Sequence, residues 1–362
     1  MNVDLVPTYV PFLDKILGGG QCGVGVHGLF GPTGVGKTHM ATMIAVQGAT
    51  QGSVFDEAWR DAKHWVLFNL HCNDYVSRER AVGCAGRLPR SGGSTAKYEE
   101  DVNKHPDNHP QRNGRVLTKE ERESAALKAL CRNLTVHRVG FAIDSGPKWG
   151  RYPMMLKIAA FVNHAKKRRG PIGGVVIDGL SDVEFTDAPG LEYNKFHHAF
   201  LGTFCRSLAD EYKCPVWVTC QLSGNACEAP SGKLLDHKDA AGCKTLGPLL
   251  DAAVVLGTRS PTDDVFTVAC TKVPEGAGQP GHTFARHHEF YPIIVEAVSA
   301  NGFGNDRRTG ELRGAPKPQP LFGSAEIALL DRLCEGSTTE RQIDSPEKPT
   351  GTTRRRKRSR PK

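Results

Sequence analysis

The chain has 362 residues, 39% of them hydrophobic and 24% charged, and its eleven cysteines form no CxxC pair. That composition is globular: it offers neither the ~18–20 consecutive apolar residues of a membrane span nor the spacings of a zinc or dithiol motif, and the first twenty residues lack the parts of a secretory leader. The formal net charge of +8 is local, because residues 352–362, TTRRRKRSRPK, hold seven Lys and Arg and the remaining 351 residues carry +1.

A cytoplasmic protein with reduced, buried cysteines is therefore expected, or a nuclear one if the source is eukaryotic, with no membrane partner. In chain order, GVHGLF (25–30) reads as a short buried strand, THMATMIAVQGA (38–49) as the helix after it, and HWVLFNL (64–70) as a second strand. Residues 88–117 lose apolar periodicity and are rich in Gly, Pro, Asn, His and charge, the composition of a flexible surface insertion. Folded sequence resumes with a helix over 119–134, a strand at VGFAID (139–144), a helix over 154–168 and a strongly apolar strand, GGVVIDGL (173–180). A helix over 195–212, the strand PVWVTCQL (215–222) and strand-like runs at 252–258 and 264–273 complete the series. Strands alternating with helices at this spacing predict an α/β fold, a mostly parallel sheet sandwiched by helices. The folded domain is expected to span 1–300, followed by a linker (301–336) with one short amphipathic helix, SAEIALLDRLCEG, and a disordered basic tail (337–362).

Between the first strand and the first long helix stands GPTGVGKT: Gly31, Pro32, Thr33, Gly34, Val35, Gly36, Lys37 and Thr38. It matches G-x4-G-K-[ST] in the strand–loop–helix context that the motif requires. The glycines let successive N–H groups face inward on an anion, and the helix turns its positive end toward the phosphates. Lys37 is placed to neutralise β and γ oxygens and Thr38 to ligate Mg2+. A second carboxylate near the metal is expected from the end of another buried strand, where VVID delivers Asp178. ATP or GTP and Mg2+ are the implied ligands. The residue after Asp178 is Gly179, which disfavours the classes that keep a water-activating Glu directly beside this Asp.

The run VPTYVPFLDKILGGGQCGVGVHGLFGPTGVGKT, with VVIDGL, CPVWVTCQLSG and AAGCKTLGPLLDAAVVLG, resembles the RecA-like ATPases of the RadA, KaiC and DnaB type. The likeness covers roughly residues 6–275, broken by the 88–117 insertion. It implies a RecA-like P-loop fold with a γ-phosphate sensor at the end of a strand, where Gln221 stands. It also implies a catalytic Glu after the strand HWVLFNL, but here Leu70 is followed by His71, with Asp74 three residues beyond, and either His71 or Asp74 is left to activate water. The family segment that supplies a Lys and an Arg to a neighbouring subunit has Lys272 and then Pro274, so Lys272 alone is available as the trans cation.

The resemblance thus implies an ATP-hydrolysing protein acting on DNA as a helicase, recombination or repair motor, working as a homo-oligomeric ring or filament. The basic tail adds a phosphate-backbone contact or a nuclear address. The alternative is a nucleotide-gated assembly module with little turnover and no nucleic-acid substrate. A small-molecule kinase is a third reading, which would need an Arg-rich lid and an acceptor pocket.

Overall fold

The computed structural model describes residues 4–55, 57–70, 74–86, 88, 111–112, 115–137, 153–187, 193–227, 234–240, 246–257, 265–286 and 294–299. The strands are β1 (Leu5–Val6), β2 (Gln21–Cys22), β3 (Gly25–Gly31), β4 (His64–Asn69), β5 (Gln111–Arg112), β6 (Arg115–Val116), β7 (Leu134–His137), β8 (Ile172–Asp178), β9 (Pro215–Gln221), β10 (Ala252–Leu256), β11 (Val265–Lys272), β12 (His282–Arg286) and β13 (Ile294–Ser299). Nine of them form one sheet in the order β13-β12-β11-β10-β3-β9-β8-β4-β7. From β10 to β7 every pairing is parallel, while β11, β12 and β13 add on antiparallel.

The parallel strands read as near-continuous apolar runs because both faces are covered. Successive residues alternate between two cores. On β4, Val66 and Phe68 enter one core and Trp65 and Leu67 the other; on β8, Val175 and Ile177 oppose Val176; on β9, Val216 and Val218 oppose Trp217. The second core holds α1 (Pro11–Ile16), α2 (Lys37–Thr50), α3 (Asp74–Gly86) and α4 (Lys119–Asn133). The first holds α5 (Pro153–Arg169) and a long helical stretch over 193–212, whose middle, His198–Cys205, is π-helical. That stretch reads as one helix in the sequence because Phe196, Phe200 and Phe204 recur every four residues, and all three are buried.

Local chemistry sets several helix ends. Thr118 accepts from the Glu121 N–H at 3.2 Å and Glu121 accepts from the Thr118 N–H at 2.8 Å, a reciprocal capping box that starts α4. Asp187 caps α5 from outside, accepting from the N–H groups of Met154 and Met155 at 2.7 and 2.9 Å. Burial raises the Asp187 carboxyl to about 6, against the pull of those two N–H donors. A carboxyl raised in the folded state stabilises the fold fully below its unfolded pKa, near 4. That contribution is lost as pH rises through the folded value. Asp187→Asn is therefore expected to remove about 2–3 kcal/mol of pH-dependent unfolding free energy between pH 4 and 6, measured by denaturant titration across that range.

The expected strand at 139–144 lies outside the described residues; β7 precedes it, directly after α4. Of the expected insertion at 88–117, the described part includes the hairpin strands Gln111–Arg112 and Arg115–Val116. The linker and tail, 301–362, also lie outside the described residues. β12 and β13 were not expected, since the Gly- and Pro-rich stretch before them masks their short alternation.

Candidate functional site

β3, β8 and β9 run side by side, and their C-terminal ends meet at one edge of the sheet, the edge where ligands of open α/β folds bind. β3 runs out at Gly31, the chain loops through Pro32–Gly36, and α2 begins at Lys37. Gly34 (φ 81°) and Gly36 (φ 106°) take left-handed backbone, which other residues resist. Gly31 is needed for a different reason: a Cβ there would press on Val35 Cγ1 at 2.8 Å. Val35 is buried, so it anchors the loop rather than lining it. The Lys37 ammonium reaches back along the loop and donates to the carbonyls of Gly31 (2.9 Å) and Pro32 (2.7 Å).

A cavity of about 330 Å³ opens above this edge. Thr33, Gly34, Gly36, Lys37 and Thr38 line it from the loop, Asp178 from β8 and Gln221 from β9. The register explains the convergence. Gly31 is paired with Gln221 across β3 and β9, and Asp178 with Thr219 across β8 and β9. The Gln221 amide accordingly donates to Thr33 Oγ1 at 2.6 Å, and the Thr219 hydroxyl to Asp178 Oδ1 at 2.8 Å.

Asp178 is 1% exposed, and its second oxygen, Oδ2, is buried with no hydrogen-bond partner among the described residues. A buried carboxylate oxygen without a donor is costly. Beside it in the cavity wall stands Thr38. A hydroxyl and a carboxylate oxygen, both hard donors next to a phosphate loop, are the set a Mg2+ ion takes when it keeps most of its waters. The residues present therefore fit the metal that the sequence implied.

The structure adds lining residues that the sequence reading did not weigh: His39, Arg80, Ser181 and Thr219. Arg80 sits on α3, next to Ala81 and one turn from the buried Ser77 and Cys84. That inward spacing was the available signal. Thr219 had none, since its partner is 41 residues away in sequence. Its substitution Thr219→Val keeps the shape and deletes the donor. About a tenfold loss of Mg2+ affinity is expected, restored by Thr219→Ser and read from metal titrations of nucleotide binding.

Other expected site residues are placed differently. His71 lies outside the described residues, and Asp74 opens α3, with nothing described of its side chain. Lys272 is not in the cavity wall. It pairs with Ala253, toward the start of β10, and its ammonium donates to the carbonyls of Gly247 (2.8 Å) and Leu250. Burial there lowers its pKa, with Asp251 opposing the shift.

A parallel core flanked by helices on both faces, with the phosphate loop after β3 and the carboxylate at the end of β8, is the RecA-like P-loop ATPase fold. The solved ATPase domain of a DnaB-like helicase superposes with a TM-score of 0.54 and 15% identity, over 81% of this chain and 92% of its own. A KaiC-like protein, PH0186 from the hyperthermophilic archaeon Pyrococcus horikoshii OT3, aligns at 17% identity with a TM-score of 0.46, over 82% of this chain and all of its own. No family model and no curated protein matches the chain. Among the described residues no helix is long and apolar enough to cross a membrane.

Proposed function

We propose that this chain binds ATP with Mg2+ at the Gly31–Thr38 loop and hydrolyses it, driving work on DNA as a homo-oligomer. The observation that carries the nucleotide part is the unpartnered Asp178 Oδ2 facing the same cavity as Lys37 and Thr38. Thr38 and Asp178 would hold Mg2+, which when bound neutralises charge on the phosphate oxygens. Lys37 leaves its two loop carbonyls for the β and γ oxygens, and Arg80 adds a second cation to the same cavity. Gln221 exchanges the Thr33 hydroxyl for a γ-phosphate oxygen and returns when that phosphate leaves, so strand β9 senses the state of the nucleotide. Gln221→Ala is expected to leave ATP affinity within about threefold and to slow turnover about tenfold or more, as measured by nucleotide titration beside phosphate release.

The DNA part rests on the seven Lys and Arg of residues 352–362. Its test is ATP hydrolysis with and without single-stranded DNA at low and high salt. Stimulation that fades as salt rises supports it, and an unchanged rate refutes it. A second reading, nucleotide-dependent assembly with little turnover, is favoured by one observation: among the described lining residues Asp178 is the one carboxylate, leaving no obvious base. Nucleotide-dependent assembly with no phosphate release, unaffected by DNA, would establish that reading in place of the first.

A further inference from the structure

The opposite edge of the sheet carries a second cavity, of about 690 Å³, roughly twice the first. It lies where the parallel strands begin: Gly23 and Val24 precede β3, Lys63 precedes β4, Gly173 is in β8, and Lys213 and Pro215 open β9. Among the described residues three non-glycine positions have left-handed backbone, Tyr9 (φ 60°), Gln51 (φ 49°) and Lys213 (φ 51°), and all three line this cavity. Gln51 and Lys213 each close a helix, where that conformation is common. Tyr9 closes none, and an aromatic residue there is strained, a feature that gathers at binding sites.

Trp65 forms part of the wall, although it is only 4% exposed. A Cβ on Gly48, Gly173 or Gly174 would collide with its ring, so three glycines seat the indole flat against the backbone. Its Nε1–H lies beside Gly173, also in the wall, and has no acceptor among the described residues. The tryptophan of the neighbouring core strand, Trp217, donates instead to Gln21 Oε1 at 2.6 Å. A buried indole N–H ordinarily finds a partner. The occupant of this cavity is therefore expected to bring a carbonyl or carboxylate.

The remaining wall is apolar, with Val6, Pro7 and Val24; at 39% exposure, Val24 is one of two large hydrophobics exposed among the described residues. The rim carries exposed charges of both signs, Asp4, Asp61, Lys63 and Lys213, none of them in an ion pair among the described residues. Two aromatic anchors, an unmet donor and balanced rim charge match a peptide segment, which presents carbonyls, apolar side chains and both signs of charge.

We propose that residues 321–333 of this same chain, LFGSAEIALLDRL, dock in this cavity. They are the one concentration of large apolar side chains in residues 300–362, which are otherwise rich in Gly, Pro and charge. Glu326 and Asp331 complement Lys63 and Lys213, and Arg332 complements Asp4 and Asp61. β13 runs antiparallel to the phosphate-loop strand, so the chain leaves Ser299 heading toward the edge that holds the cavity. From there β9 is five strands away, ~24 Å at ~4.8 Å per strand. The residues between Ser299 and Leu321 can span up to ~70 Å.

The test is hydrogen–deuterium exchange on the full chain and on two variants, Leu330→Asp and the double charge reversal Lys63→Glu with Lys213→Glu. Both variants lie away from the nucleotide site, and unchanged ATP binding certifies their fold. In the wild type, amides of 325–333 are expected to exchange about tenfold slower than those of 340–350. Either variant should abolish that difference, and Leu330→Asp should also speed exchange around Tyr9 and Lys63. Fast exchange of 325–333 in the wild type, or slow exchange that survives the double reversal, overturns the proposal. Protection that disappears on dilution also overturns it, because the occupant would then come from a second copy.

Discussion

Lys37→Ala is expected to weaken ATP binding by about a hundredfold or more while leaving the fold intact. The ammonium donates to the Gly31 and Pro32 carbonyls at the base of the loop. With a triphosphate in place the same group meets oxygens carrying full negative charge, and charge-assisted bonds of that kind are worth about 1.5–3 kcal/mol each. Two such bonds give the hundredfold loss, since each ~1.4 kcal/mol is a factor of about ten. Stability should barely change, because Lys37 is only partly buried and water can replace it at both carbonyls. Calorimetric titration with ATP, run beside thermal unfolding of the unliganded protein, separates the two effects. Wild-type affinity in the variant would remove the phosphate-loop assignment altogether.

The second large effect concerns Asp178→Asn, where activity and stability should move in opposite directions. Asn can still accept from the Thr219 hydroxyl, so the 2.8 Å bond that fixes the side chain survives. What goes is a charge whose other oxygen, Oδ2, is buried without a partner among the described residues. Removing a poorly compensated buried charge stabilises the unliganded fold. Removing a metal-ligating charge costs about a hundredfold in Mg2+-dependent turnover. A melting temperature that rises while phosphate release collapses is the expected pair of results. If the melting temperature falls and turnover persists, Asp178 is a structural residue and the metal lies elsewhere.

Much of the site was legible because its signals are local. The loop Gly31–Thr38 reads from adjacent residues: two glycines that must turn left-handed, a lysine and a hydroxyl at the start of a helix. Asp178 reads equally well, because four apolar residues before a carboxylate place it at a strand end wherever that strand lies. Lys272 shows the limit of such reading. Its neighbours in sequence suggested a cation held out to another subunit, whereas the carbonyls it binds lie 22 and 25 residues earlier. A lysine's reach cannot be inferred from its own strand.

By itself the sequence determined the strand–loop–helix that holds phosphate, the alternation of strands and helices, and the apolar runs that make the sheet parallel and doubly covered. These follow from short-range periodicity and from backbone angles that only glycine adopts freely. Tertiary structure alone decided that Thr219 fastens Asp178, that Gln221 meets Thr33 and that Arg80 enters the same cavity. It also decided that a buried indole, its N–H unmet among the described residues, joins the wall of a cavity on the far edge of the sheet. Each of those depends on strand register and on which face of a helix turns inward. Register and facing are fixed by packing across segments far apart in the chain.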